Sequence, residues 1–201
     1  MNTTKTLPLA LLLLLTLIIS GCGGSKIMRV DASEEHAISD RWNSKDSQLV
    51  ADEMIGDMLS FPWLKRFNRA HPGERATITI GRIKNKSHEH IPVDMFINDI
   101  KKAVMRSDLA DFVVSGSERQ DLRDEKSDQD LHATQAVEAG QEQASTFMLS
   151  GSINSIADKV GRKSVTAYQI DLKLINVKTN REVWVGQKKI QKVAEKSLLD
   201  W

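Results

Sequence analysis

In the last third of the chain, apolar residues fall on every second position. Tyr168, Ile170, Leu172 and Leu174 share one side of an extended backbone, and Gln169, Asp171 and Lys173 share the other. The runs STFMLSGSINSIAD, KSVTAYQIDLKLINV and REVWVGQKKIQKV all read as strands, with DKVGRK and NVKTNR as turns of hairpin length. They predict an antiparallel meander with one dry and one wet face. Upstream the period changes. Leu49, Ala51, Met54, Ile55, Met58 and Leu59 predict a helix that Pro62 ends or kinks, with Ser44 and Asp46 as candidate caps. ERATITIGRI reads as a strand, with Ile78 and Ile80 opposite Thr77 and Thr79. Pro92 opens a second helix through Val93, Phe96, Ile97, Ile100, Ala103 and Val104. ADFVVSG is a short strand. A capping box from Ser117 to Gln120 starts a charged helix, and Ala136, Val137 and Gly140 mark one more short helix. The fold class is therefore α+β: one mixed sheet ending in an antiparallel meander, flanked by about four helices.

The amino terminus follows a different rule. Lys5 precedes an apolar run from Leu7 to Ile19, and Ser20, Gly21 and Cys22 are small. This is the layout of a secretory signal, and the run is too short for an ordinary membrane-spanning helix of about 20 residues. Residues 1–21 are the expected signal peptide, 22–41 a short flexible linker, and 42–201 a single globular domain. Roughly 18 linker residues reach about 60 Å when fully extended. Cys22 is the sole cysteine, so a disulfide within the chain is excluded. The chain has 28 basic and 27 acidic side chains, and losing Lys5 with the signal leaves them balanced. That balance gives no footprint for nucleic acid.

Candidate chemistry is sparse. SHEH, residues 87–90, places His88, Glu89 and His90 together, with His71 as a further ligand to consider. A lasting zinc site needs three or four ligands, and the polar-loop reading is the simpler one. There is no nucleophile elbow, phosphate loop or dinucleotide fingerprint, so no enzyme activity, metal or cofactor is expected. Two clusters could serve contact: Trp63 and Phe67 after the first helix, and Trp184 with Lys188 and Lys189 on the last strand. The same aromatics fit a core, and a tryptophan is usually largely buried.

Ile19-Ser20-Gly21-Cys22 resembles a bacterial lipobox, which implies acylation of Cys22. Glycine at position 23 implies sorting to the outer membrane. The pieces RWNSKDSQLVADEMIGDMLSFPWL, IGRIKNKSHEHI, MLSGSINSI and YQIDLKLINVKTNREVWVGQKKI resemble the LpoB-like lipoproteins over about Trp42 to Val193. The resemblance implies a domain similar to the amino-terminal domain of TolB. It also implies a lipid-anchored, non-catalytic monomer on the periplasmic face of the outer membrane. Its implied partner is a class A penicillin-binding protein, which it activates for peptidoglycan synthesis. Enteric members carry a long proline-rich linker where this chain has only the short one. A structural adapter for another envelope protein is the alternative, and a wall hydrolase a third.

Overall fold

The computed structural model describes residues 41–138 and 140–195. The expected signal peptide, Cys22 and nearly all of the linker lie outside the described residues, as does the end of the expected domain. The first helix, α1 (Ser44–Ser60), is capped by Asn43 rather than Ser44. Asn43 Oδ1 accepts from Asp46 N at 3.0 Å, and Asp46 Oδ2 accepts from Asn43 N at 2.9 Å. This reciprocal pair satisfies donors that every helix start leaves open.

Pro62 both ends α1 and opens a second helix, α2 (Pro62–Ala70), at a position where its missing N–H costs nothing. Of the two sequence readings, a stop or a kink, the structure shows a stop followed at once by a new helix. Trp63, Leu64 and Phe67 form the buried side of α2, and that burial makes nine residues worth folding. Next come β1 (Ala76–Asn85), α3 (Val93–Ser107), β2 (Ala110–Phe112) and α4 (Ser117–His132). The long strands β3 (Phe147–Val160), β4 (Lys163–Asn176) and β5 (Glu182–Glu195) complete the described part. No helix among the described residues is long and apolar enough to cross a membrane.

The strand order is β2-β1-β3-β4-β5. β1 runs parallel to β2 and β3, whereas β3-β4 and β4-β5 are antiparallel. The mixed sheet and the meander are thus as expected. Val160 pairs with Lys163 across Gly161-Arg162, with Gly161 at φ +61°. A glycine at the first of two loop residues is the pattern of a type II′ hairpin. Tyr168, Ile170, Leu172 and Leu174 are all fully buried, under α1 and α3 with Phe96, Ile100 and Val104. Gly186 lies beside the Trp184 indole, where any larger side chain would overlap the ring.

Thr77 and Thr79 lie opposite Ile78 and Ile80 as expected, and both threonines are buried as well. β1 is an interior strand, and residues 144–146 close over Thr77, whose Oγ1 donates to Ala144 O at 2.9 Å. The Ser117–Gln120 capping box does not form: Gly116 is the cap, with φ +63°, and the Gln120 amide donates to Asp124 instead. The short helix at 136–140 is absent among its described residues. Val137 is exposed there, so no buried face repays the ordering of a helix.

Candidate partner-binding surface

Trp63, Phe67 and Trp184 all point inward. Trp63 and Phe67 pack edge-on against Phe147 at 4.7 and 5.6 Å between ring centres. Trp63 Nε1 donates to Met58 O at 2.7 Å, and Trp184 Nε1 donates to Asp57 Oδ2 at 2.7 Å. Both indoles therefore brace the end of α1, and Trp184 keeps only 2 % of its surface. The core reading of these aromatics holds, because an indole buried with its N–H satisfied has nothing left to offer a partner. Alternation along β5 separates the two lysines. Lys188 faces α1 and pairs with Glu53, whereas Lys189 is exposed on the far side.

That far side is the outer face of the meander, and no helix among the described residues lies over it. The register sets Asn154, Gln169 and Lys189 in one cross-strand row. Ile156, Ala167 and Gln191 form the next row. They line a shallow groove of about 530 Å³. Ile156 is 76 % exposed, and Val193 and Val185 on the same face are also exposed. Beside the groove, Asp171 accepts from the side-chain amides of Asn154, Gln169 and Gln187 at 2.9–3.2 Å. This belt fixes the amides and leaves Ile156 and Lys189 as the protruding groups. An apolar knob ringed by amides and one cation suits contact with another protein. Of this set, sequence reasoning names Lys189 alone as a candidate contact. Ile156 stands in an alternating strand, but its exposure depends on no helix being laid over it.

The SHEH loop has a different role. Ser155 Oγ lies 2.7 Å from His88 Nδ1 and accepts from His88 N at 3.1 Å. His88 Nε2 is 3.7 Å from Glu89 Oε1. The set looks like a nucleophile with its base, but its members are already engaged. Glu89 accepts from the Tyr168 hydroxyl at 2.8 Å and from Trp42 N at 3.3 Å. Trp42 N also donates to the Tyr168 oxygen at 3.0 Å, and the Trp42 ring packs on Tyr168 and Phe96. Burial pushes the Tyr168 phenol well above its ordinary pKa, and the hydrogen bond to Glu89 adds to the rise. The cluster staples the loop and the start of α1 to the sheet. His71 stacks on Phe67 at 4.5 Å, on a different element. Among the described residues no group of His, Cys, Asp and Glu could hold a metal ion.

A family model described as peptidoglycan-synthase activator LpoB matches residues 46–190, from the first turn of α1 into β5. The chain belongs to the LpoB family. No curated protein matches it. Among solved structures, it is similar to the LpoB carboxy-terminal domain of Salmonella enterica at 14 % identity and TM-score 0.44, covering 72 % of this chain and 98 % of that one. The Escherichia coli LpoB carboxy-terminal domain gives 13 % identity and TM-score 0.39, covering 70 % and 97 %. Lipoprotein GNA1162 of Neisseria meningitidis gives 11 % and 0.38, covering 62 % and 88 %. The LpoB match spans β3 and β4 and reaches Ile190 of β5, one residue short of Gln191 in the groove.

Proposed function

We propose that this LpoB-family chain is a non-catalytic, monomeric activator of a class A penicillin-binding protein. In this reading a lipid on Cys22 holds it at the periplasmic face of the outer membrane. The outer face of the meander, with Ile156 and Lys189 foremost, touches the synthase. Trp63, Phe67 and Trp184 act from behind, by fixing the sheet and α1, and Lys188 by tying β5 to α1. The family match over residues 46–190 carries the proposal. Activation needs no group transfer from the activator. If the domain binds the active conformer of the synthase more tightly than the idle one, it shifts that population, and tenfold stimulation takes about 1.4 kcal/mol of difference.

The test is glycan polymerisation by the cognate synthase, with and without the purified mature protein. Stimulation that is lost in Ile156→Glu and Lys189→Glu supports the reading. Neither binding nor stimulation by the parent protein rejects it. The short linker favours one second reading, a structural adapter between envelope proteins. Crosslinking in cells separates the two, since an adapter would capture outer-membrane or periplasmic partners and no synthase.

A further inference from the structure

We propose that the outward side of α2 docks the protein onto an anionic phospholipid surface. At 3.6 residues per turn, Pro62, Lys65, Arg66 and Arg69 fall within an arc of about 100°. Trp63, Leu64 and Phe67 occupy the opposite arc, sunk into the core. The helix has three cations and no acidic residue. Elsewhere some basic side chains pair with carboxylates, such as Arg75 with Asp108 and Asp111 or Arg123 with Glu142, and others among the described residues, such as Lys86 and Lys102, do not. What sets α2 apart is that its three cations share one arc with no carboxylate on the helix. Among the described residues, Lys65, Arg66 and Arg69 have no ion pair. Phe61, 42 % exposed, stands at the entry to the helix. Cations flanked by a protruding aromatic ring match the headgroup boundary of a membrane, where an aromatic inserts and cations meet phosphate.

Chain length allows this geometry. The linker enters beside α1 at Arg41, whose carbonyl accepts from Lys192 Nζ. α2 starts at the far end of α1, about 25 Å away for 17 helical residues. A linker reaching about 60 Å spans that distance. That reach matters only with Cys22 acylated, as in the proposed function. With Cys22 acylated, α2 would add a second attachment to the same bilayer. It would also orient the meander relative to the bilayer.

The test removes the anchor. The mature chain carrying Cys22→Ser is sedimented with vesicles of phosphatidylcholine, alone or enriched in phosphatidylglycerol. Binding only to the anionic vesicles is expected, and it weakens as salt rises. The variant Lys65→Gln/Arg66→Gln/Arg69→Gln should bind about a hundredfold less. Salt screening of the Cys22→Ser chain gives the same readout without that triple change. Equal binding to both vesicle types, an unchanged partition in the triple variant, or capture by isolated peptidoglycan in place of vesicles would overturn the proposal. Synthase stimulation in detergent, measured on the same proteins, fails independently if the activator reading is wrong. The mass of native Cys22 independently tests the anchor.

Discussion

The two faces of the meander come from one sequence and meet opposite surroundings. On β4, Tyr168, Ile170, Leu172 and Leu174 lie under the helices, while Gln169, Asp171 and Lys173 one position away face out. Inside, the same cross-strand rows are tightly constrained: Leu172 lies opposite Gly151 on one side and Gly186 on the other. At both glycines an added Cβ would meet neighbouring atoms. Outside, Ile156 and Lys189 are exposed and can change without disturbing packing. Alternation alone thus divides buried from exposed positions, and a residue's number along a strand says whether a substitution will touch the packing.

The comparison breaks most visibly on the inner face. Ile170→Ala should lower unfolding free energy by about 2–5 kcal/mol, read as a drop in the urea midpoint with unchanged slope. Gly186→Val forces the Trp184 ring to move and should cost about 1–3 kcal/mol in the same titration. Trp184→Phe puts a smaller ring in the buried site and removes the hydrogen bond to Asp57, whose exposed carboxylate water can take over, so the cost of about 1–3 kcal/mol should come chiefly from lost packing. On the outer face, Ile156→Glu and Lys189→Glu should stay within about 0.5 kcal/mol of the parent. Their effect should appear only in synthase stimulation, and an equal loss of stability would erase the distinction between the faces.

A pH titration sharpens the same contrast, because the chain has a single tyrosine and it lies on the inner face. Folding raises the Tyr168 pKa above the unfolded value of about 10. The folded state therefore holds a proton that the unfolded state loses above that pH. The resulting stability is complete below about pH 10 and declines as pH climbs toward the folded pKa. Phenolate absorbance should thus stay absent just above pH 10 while the protein is folded and appear with unfolding. Tyr168→Phe should flatten the alkaline decline. Phenolate forming near pH 10 without unfolding would show that the phenol is not held as described.

Much of this was legible in residue order, where local periodicity decides. The alternation on β4 and the 3-4-3 spacing of α3 predict both elements and their buried sides. Pro62 can be read as a stop, but its second role depends on Trp63 and Phe67 finding Phe147, some 80 residues on. Asn43 takes the cap from Ser44 because its side chain meets the Asp46 amide, a choice that neighbouring polar residues leave open. The Glu89–Tyr168–Trp42 cluster spans 126 residues, and no local spacing could announce it. The groove is harder still. Strand pattern predicts an outward face, but only tertiary placement decides that no helix covers it.

The seam between β1 and β3 has a kinetic consequence. β1 must wait for a parallel partner more than sixty residues later, and Asp57 must wait for Trp184, 127 residues later. Hairpins such as β3–β4 close over microseconds, whereas contacts of such separation are late and slow. A growing chain should therefore hold its first helices loosely until the final strand arrives. Chains ended before Glu182 should accordingly remain open to protease across α1.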